Sequence, residues 1–177
     1  MNRPESHSQW KITAAMKIKR RSELRDIIGD MQSQGKTVVF TNGCFDIMHV
    51  GHVRYLEDAR GLGDCLVVGV NTDESVRGRK GDCRPIVSQF ERAEVVAALA
   101  CVDYVALFSE DTPVEILDEL RPDIDVKGGD YTLDQMPEAK VVQAYGGKVM
   151  LVPLVEGYST TGIVERIKQL GTEEPAG

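Results

Sequence analysis

Short apolar runs alternate along the chain with longer segments in which apolar residues recur every three or four positions. Five of these runs contain several valine, isoleucine or leucine residues and have the length of buried strands, at residues 37–41, 65–70, 104–108, 124–126 and 148–152. Strands that alternate with helices predict a parallel sheet covered on both faces, with right-handed crossovers. The predicted fold class is therefore α/β.

Start signals mark the helices between the strands. Ser22 is predicted to cap the first helix, and Ser88 opens a capping-box sequence before another. Pro113 and Pro137 stand where the first position of a helix favours proline. A last helix is predicted to begin near residues 160–162. We therefore expect helices to fill the connections of the sheet.

The organisation along the chain is simple. Residues 1–21 are polar and locally basic, and we expect an N-terminal arm there. Residues 22–171 are predicted to form one domain, and residues 172–177 a frayed tail. This length suits a single domain with a sizeable core.

Composition narrows the class of protein. The formal net charge is −7, whereas broad binding to nucleic acid or anionic membrane usually shows a basic excess. The sequence has neither a run of about eighteen apolar residues nor a recognisable secretory signal. The four cysteines form no C-x-x-C pair, which is typical of reduced thiols. We expect a cytoplasmic protein that binds neither nucleic acid nor membrane.

Two histidines three residues apart carry the strongest chemical signal. His49 and His52 follow the first predicted strand and precede a helical pattern, so they stand where free backbone N–H groups and the helix dipole favour an anion. Gly51 between them would let a ligand approach the backbone closely. A zinc site would need three or four ligands, and only Cys44 and Asp46 lie near in sequence. Polyphosphate chemistry is favoured over zinc binding and over incidental placement.

Other polar groups follow the predicted strands, where parallel sheets bind their ligands. Neither the dinucleotide fingerprint nor the Walker sequence follows the first strand. The basic stretch 77–85, with Arg77, Lys80 and Arg84, is interpreted as a glycine-hinged loop that closes on phosphates, or as a solvated loop. Arg92 would either face the same pocket or pair with a neighbouring glutamate.

Two further segments complete the candidate site. Lys127, Gly128 and Asp130 directly follow the fourth strand, where glycine would allow a nucleoside to lie against the backbone and lysine could meet a phosphate; a plain turn is the alternative. The hydroxyl residues 159–161 precede the last helix and would either cap it or hold outer phosphates. Asn71 and Asp73 are candidates for sugar hydroxyls or are turn formers.

Together these motifs resemble the HxGH nucleotidyltransferase superfamily, and within it the branch of heptose 1-phosphate adenylyltransferases. The matching segments are residues 41–46, 49–56, 68–71, 81–85, 109–113, 126–131 and 159–161. His-x-Gly-His indicates only the superfamily, whereas Lys-Gly-Gly-Asp-Tyr at 127–131 narrows it to the heptose branch. Leu154 stands where related glycerol-phosphate cytidylyltransferases carry an arginine, which weakens the case for CTP.

The resemblance implies a Rossmann-like five-stranded parallel sheet in the order 3-2-1-4-5 with helices on both faces. It also implies in-line attack of a sugar 1-phosphate on the α-phosphorus of ATP, with Mg²⁺ bound through the nucleotide phosphates and no protein side chain assigned as a metal ligand. The expected catalytic residues are His49, His52 and Lys127. The expected nucleotide-binding residues are Thr41, Asn42, Gly43, Cys44, Phe45, Asp46, Gly51, Gly128, Asp130, Ser159, Thr160 and Thr161. The expected acceptor- or phosphate-binding residues are Asn71, Asp73, Arg77, Lys80, Arg84 and Arg92.

The expected product of such an enzyme is ADP-heptose for lipopolysaccharide core synthesis, with pyrophosphate released. The expected partners are small molecules, and a separate kinase and phosphatase would supply the heptose 1-phosphate. We also expect a homo-oligomer. The sequence leaves two alternatives open: a nucleotidyltransferase for another phosphorylated acceptor such as glycerol 3-phosphate, and a non-catalytic nucleotide-binding module.

Overall fold

Five parallel strands form the centre of the protein, in a computed structural model that describes residues 13–129, 136–153 and 157–170. The strands are β1 (Val38–Gly43), β2 (Cys65–Asn71), β3 (Tyr104–Phe108), β4 (Ile124–Gly128) and β5 (Lys148–Val152). Their order in the sheet is β3-β2-β1-β4-β5, and every pairing is parallel. The predicted fold class, strand number and strand order are confirmed.

Eight helices lie in the described part of the chain. They are α1 (Ala14–Lys17), α2 (Arg21–Ser33), α3 (Val50–Arg60), α4 (Asp73–Lys80), α5 (Gln89–Ala97), α6 (Val114–Leu120), α7 (Pro137–Ala144) and α8 (Thr160–Leu170). Apolar side chains form one buried cluster on each face of the sheet, which matches the expectation that both faces are covered. Within the described residues, every helix is too short or too polar to span a lipid bilayer.

Alternate residues of each strand serve the two faces. Val39 and Val68 belong to the cluster that includes Tyr55 and Leu56 of α3, whereas Phe40 lies in the cluster with residues of α2 and α6. Because β1 is central and pairs with both β2 and β4, both clusters converge on it. The loop after β1 therefore starts from a strand that is paired on both sides and packed on both faces.

Three local predictions are corrected. The first long helix begins at Arg21, with Arg20 as its N-cap, because Glu23 accepts from the backbone N–H and the side chain of Arg20. The stretch 77–80 is the last turn of α4 and not a loop, since Thr72 caps this helix by accepting from the N–H of Ser75. The fifth strand is not fully buried, because it forms the edge of the sheet.

Part of the expected N-terminal arm packs on the domain. Lys17 donates to the carbonyl oxygens of Leu99 and Val102, at 3.2 and 2.7 Å, and Ile18 forms an isolated parallel bridge with Val105. Residues 1–12 and the expected tail 172–177 lie outside the described residues. The boundaries of arm, domain and tail remain predictions.

Candidate active site

The loop that joins β1 to α3 carries both histidines in an uncommon backbone conformation. Phe45 and Ile47 have φ values of 50° and 57°, in the left-handed region that residues other than glycine rarely adopt. Such conformations persist only where the surrounding structure enforces them. Phe45 is buried, and its ring meets that of His52 edge to face, with centroids 5.4 Å apart. The strained loop therefore buttresses one of the two imidazoles.

The two imidazoles lie together. The ring centroids of His49 and His52 are 3.8 Å apart, and the ring planes differ by 22°. His49 is the N-cap of α3 without a side-chain capping bond, and His52 lies in its first turn. Both Nδ1 atoms are buried and have no hydrogen-bond partner among the described residues. Buried polar atoms without partners at a helix N-terminus fit a site that receives its partners from a ligand.

Both imidazoles are held in the neutral form. Burial lowers the pKa of His49, and it lowers the pKa of His52 to about 4, with smaller contributions from His49 and Lys80. Stacked rings cannot both carry a proton without repulsion. At neutral pH each ring is therefore a hydrogen-bond donor without a net charge.

Gly51 is required by the packing of the histidine, which differs from the sequence expectation. A Cβ at this position would stand 3.0 Å from the Cε1 and Nδ1 atoms of His49 and 3.1 Å from the Cβ of Tyr158. The space above the Cα of Gly51 is thus filled by the His49 ring and Tyr158, although Gly51 also lines the cavity in front of the histidines. The glycine still serves the site, because it lets the His49 ring lie against the first turn of α3.

A cavity of about 860 Å³ opens in front of the histidines. Its wall combines the loop after β1, the start of α3, the segment 80–84 and the start of α8. The predicted site residues that line it are Asn42, Gly43, Cys44, Phe45, Asp46, His49, Gly51, His52, Lys80, Arg84, Gly128, Ser159, Thr160 and Thr161. This first cavity brings together most of the residues expected to bind a nucleotide.

The hydroxyl segment before α8 has two structural duties. Ser159 Oγ accepts a hydrogen bond from the N–H of Gly162 at 3.0 Å, which caps the helix. Thr160 Oγ1 donates to the carbonyl oxygen of Asp46 at 2.8 Å, which ties α8 to the histidine loop. The hydroxyl of Ser159 keeps its proton available for a ligand in the first cavity.

The carboxylate of Asp46 organises the neighbouring loop. It accepts from the backbone N–H groups of Ile86 and Val87 at 3.0 Å, and its Oδ2 lies 2.9 Å from Arg84 Nε in an ion pair. It is buried, and within the described part of the chain its side-chain oxygens form no hydrogen bond with either histidine. Asp46 therefore shapes the wall of the first cavity and holds the cation Arg84 beside it.

Arg92 does not line the first cavity, and it does not pair with a neighbouring glutamate. The side chain is 1% exposed and donates to the carbonyl oxygens of Cys44 and Val87 and to Oδ1 of Asp73. One buried guanidinium thereby joins the loop after β1, the segment before α5 and the start of α4. Its charge is compensated by the carboxylate of Asp73 at 2.7 Å. The expected phosphate contact of Arg92 and the expected sugar contact of Asp73 are corrected to this structural role.

Two more expected site residues lie elsewhere. The Thr41 hydroxyl is buried within the sheet, where it donates to the carbonyl oxygen of Val126 at 2.9 Å and lies 2.6 Å from the hydroxyl of Tyr55. Its hydrogen bonds are thus used inside the core. Arg77 is exposed on α4 and does not line the first cavity or the smaller one described next. Asp130 and Leu154 lie outside the described residues.

A second cavity of about 410 Å³ lies beside the first. The two cavities share Asn42, Gly43, Cys44, Tyr55, Lys80 and Gly128, so they meet at the carboxyl end of β1. Asn71 lines only the second cavity, and its amide donates to Ser75 Oγ at 3.0 Å. The edge of the sheet thus offers two adjoining compartments, one against the histidines and one against the starts of α6 and α7.

Lys127 lines the second cavity and has three polar neighbours. Its Nζ donates to Asn42 Oδ1 at 2.5 Å and lies 3.3 Å from Asp125 Oδ1 and 3.2 Å from Glu138 Oε1. Asn42 belongs to both cavities, so Lys127 stands close to their junction. The ammonium is therefore placed to meet an anion that extends between the two compartments.

Several lining residues escaped the sequence analysis. Tyr55 lines both cavities. The others in the first cavity are Tyr158, Val164, Glu165 and Lys168, and those in the second are Arg79, Asp111, Thr112, Pro113, Met136, Pro137 and Glu138. The positions 161, 164, 165 and 168 share one face of a helix, so helical spacing from Thr161 was the available signal. Nothing in the local sequence of Glu138 distinguishes it from an ordinary first-turn acid.

Among the residues that the structure describes, no group of three or more histidine, cysteine, aspartate or glutamate side chains is arranged to hold a metal ion. Lys80, Arg84 and Lys127 supply cationic groups at the two cavities instead. Together with the imidazole pair and two helix N-termini, this set of groups is suited to a polyanion such as a triphosphate.

Comparison with known proteins agrees with this geometry. Residues 40–166 match the family model described as cytidylyltransferase-like. The chain is 58% identical over 151 residues to the bifunctional protein HldE of Syntrophotalea carbinolica, and 54% identical over 158 residues to that of Geobacter sulfurreducens. These alignments cover 85% and 89% of this chain but only 31% and 32% of the relatives, so the chain spans about a third of their length.

Solved structures give the same result. The lipopolysaccharide core biosynthesis protein from Thermoplasma volcanium is 31% identical, with a TM-score of 0.56, and the match covers 71% of this chain and all of that one. A pantoate-beta-alanine ligase from Francisella tularensis has a TM-score of 0.55 over 89% of this chain and 79% of its own, but at 11% identity it supports the fold alone. The chain belongs to the cytidylyltransferase-like family of nucleotidyltransferases.

Proposed function

We propose that the chain transfers AMP from ATP to D-glycero-β-D-manno-heptose 1-phosphate, which gives ADP-heptose and pyrophosphate. The observation that carries the proposal is the stacked pair of neutral imidazoles facing a cavity that also contains cationic side chains and a helix N-terminus. The choice of heptose is supported by the Lys-Gly-Gly-Asp-Tyr sequence and by the similarity to a lipopolysaccharide core biosynthesis protein.

We assign the nucleotide to the first cavity. Its volume of about 860 Å³ is within the range of small-molecule sites. The triphosphate would lie along His49, His52 and the N-termini of α3 and α8, where N–H groups and hydroxyls converge. Lys80 and Arg84 would neutralise phosphate oxygens by direct ion pairs.

The imidazoles would act by donating hydrogen bonds. Charge accumulates on the oxygen that bridges the α- and β-phosphates as the bond to the pyrophosphate leaving group lengthens. A neutral N–H donor is stronger toward that developing charge than toward the ground state, so it lowers the barrier. Because both rings are uncharged at neutral pH, each offers one N–H group and adds no net charge to the site.

We assign the acceptor to the second cavity, whose lining mixes cations with hydrogen-bond acceptors. The acceptor phosphate would approach Lys127 at the junction and attack the α-phosphorus in line. Asn71, Asp111 and Glu138 are placed around the remaining space and offer oxygens to sugar hydroxyls. No protein side chain is assigned to Mg²⁺, which would arrive bound to the ATP phosphates and offset their charge.

The direct test is product analysis. The protein is incubated with ATP, Mg²⁺ and heptose 1-phosphate, and the products are separated by anion-exchange chromatography and identified by mass. We expect ADP-heptose and pyrophosphate in equal amounts. Parallel reactions with CTP, and with glycerol 3-phosphate or pantetheine phosphate as acceptor, examine the wider family chemistry. Pyrophosphate release with one of these and not with heptose 1-phosphate would contradict the proposed acceptor.

A non-catalytic nucleotide-binding module is the alternative class of function that the sequence left open. Such a module would bind ATP without releasing pyrophosphate in the presence of any acceptor. It would also have no need of paired imidazoles, so His52→Ala would leave its ATP affinity nearly unchanged. Binding and turnover measured on the same preparation therefore separate the two classes.

A further inference from the structure

Beneath Lys127 lies an acidic side chain that the proposed reaction does not use. Asp125 is two residues earlier in β4 and points to the same face of the sheet as Lys127. It is 0% exposed, and its nearest cation is Lys127 Nζ at 3.3 Å. Neither of its oxygens accepts an aligned hydrogen bond from the described residues. A buried carboxylate in this state is an unusual feature of a central strand.

The environment disfavours the ionised form of Asp125. Burial raises the pKa of its carboxyl to about 6, the charge of Lys127 acts in the opposite direction, and the charge of Glu138 adds to the rise. Its strand neighbours in register are Phe40 and Val149, which carry no charge. The carboxylate therefore depends on Lys127 for compensation.

The other titratable groups around Asp125 do not replace Lys127. Glu138 on α7 is a second acid and competes for the same ammonium at 3.2 Å. Tyr145, at the end of α7, and Tyr55 on α3 also feel the charge of Asp125, and burial raises the pKa of both phenols, so they stay neutral. With both acids ionised, the cluster of Asp125, Lys127 and Glu138 carries a net charge of −1, although it faces a cavity suited to anions.

We propose that Asp125 is a positioning residue for Lys127 and a proton-linked counter-ion. Its carboxylate holds the ammonium at the junction of the two cavities before substrate binds, and it takes up a proton from solvent when a bound phosphate draws Lys127 toward itself. The inference rests on the proposed function for the identity of that phosphate, which belongs to the acceptor.

The direction of the linkage follows from charge. A phosphate near Lys127 shares the ammonium with Asp125 and brings its own negative charge, and both effects favour the protonated carboxyl. By thermodynamic reciprocity, protonation of Asp125 must then strengthen phosphate binding by the same factor. Lys127 would thus be fixed in the free enzyme and released to the substrate without leaving a bare buried charge behind.

The test observes the carboxyl directly. The side-chain carboxyl ¹³C signal of Asp125, assigned by its absence in Asp125→Asn, is followed through a pH titration by NMR. We expect a midpoint well above the ordinary aspartate range, and a Lys127 ¹³Cε signal that changes with the same midpoint. In Asp125→Asn this change in the Lys127 signal should disappear. A midpoint near 4 would overturn the inference.

Inorganic phosphate then serves as the probe for the linkage, against sodium chloride at equal ionic strength. We expect phosphate to move the Lys127 signal and to raise the Asp125 midpoint by about one pH unit. An unmoved midpoint, or a Lys127 signal that ignores phosphate, would overturn the linkage. This titration requires neither heptose nor turnover. Its result is therefore independent of whether the chain has the proposed adenylyltransferase activity, and the two proposals can fail separately.

Kinetics give an independent readout. Asp125→Asn replaces the carboxylate with a neutral amide that mimics the protonated carboxyl. It should therefore lower KM for the acceptor above about pH 7 and remove the dependence of KM on pH between about pH 5 and 7, where the carboxyl titrates. The matched control is Asp118→Asn on the exposed surface of α6, whose carboxylate pairs with Arg121 of the same surface in an i,i+3 ion pair at 3.5 Å. It should leave both KM and the pH profile unchanged. A purely structural Asp125 would instead change thermal stability without changing the shape of the profile.

Discussion

The two cavities at the carboxyl end of β1 solve the problem of binding anions in opposite ways. On the histidine side, neutral rings are held by packing against Phe45 and Gly51, and their Nδ1 atoms have no partner among the described residues. On the lysine side, a full charge is held by ion pairs to two buried acids. Donors that serve the transition state can thus be left unsatisfied, whereas a permanent charge needs counter-ions until substrate arrives.

Mutation on the histidine side should cause the largest loss of catalytic rate. Replacing His52 with alanine removes a donor directed at the leaving group, and we expect kcat to fall by about 10²- to 10³-fold. The fold should persist, since the ring contributes no hydrogen bond to the described structure. Pre-steady-state and steady-state rates with ATP and acceptor measure the effect.

His52→Asn is the matched control, because its amide can still donate to a phosphate oxygen from a similar position. It should recover part of the lost rate. Near-normal turnover in His52→Ala would remove the catalytic role, and with it the contrast between the two cavities.

The buried acid on the lysine side should make stability depend on pH. The pKa of Asp125 is raised from 3.8 to about 6 on folding, so the unfolded chain ionises first as pH rises. The stability of the fold is therefore highest below about pH 4 with respect to this group, and it falls until the folded carboxyl ionises near pH 6. The full difference is about 3 kcal/mol in the free energy of unfolding.

Asp125→Asn isolates this contribution. Urea unfolding of wild type and variant should give similar free energies at pH 4 and a more stable variant at pH 7.5. An equal difference at both pH values would show that ionisation of Asp125 is not the cause.

Removing the lysine should affect substrate use less than removing a histidine affects turnover. Lys127→Ala deletes a phosphate contact and leaves Asp125 and Glu138 facing each other, so we expect kcat/KM for the acceptor to fall by about 10- to 10²-fold. The measurement is a full kinetic matrix over both substrates. Lys127→Arg keeps the charge and should retain more activity than alanine, and unchanged acceptor kinetics in Lys127→Ala would argue against its place at the junction.

The smallest expected effect lies at the start of α8. Ser159→Ala removes the acceptor for the N–H of Gly162 and one hydroxyl from the first cavity, so stability should fall by about 1 kcal/mol. Thermal unfolding measures this loss, and KM for ATP shows whether the hydroxyl also serves the nucleotide. Ser159→Thr should preserve the cap and a normal melting temperature.

The sequence predicted the sheet well because strand signals are local. Apolar runs bounded by glycine and helix caps identified all five strands, and the resemblance supplied their order. It missed the helical state of residues 77–80 because the glycines and the dense charge there resemble a loop. The cap at Thr72 and the bond from Ser75 Oγ to the distant carbonyl oxygen of Glu110 fix a helix instead.

The functional residues that the sequence placed correctly are likewise those whose signal is local. The His-x-Gly-His sequence and residues 159–161 are continuous motifs, so their placement at one cavity followed from the fold. Thr41 and Arg92 were expected at the site but have structural roles, because their hydrogen bonds go to residues that are distant in sequence, such as Val126 and Cys44. Asp125 was hidden for a similar reason: burial and an ion pair distinguish it, and neither is a property of the local sequence.

Arg92 has a consequence for how the site can move. Its guanidinium joins the backbone beside the histidine loop, the segment that carries Arg84, and the start of α4. Separating any two of these segments would strand a buried cation, which costs several kcal/mol. The floor of the active site therefore moves as one unit, so that a substrate meets the loop after β1, the segment around Arg84 and the start of α4 in a fixed arrangement.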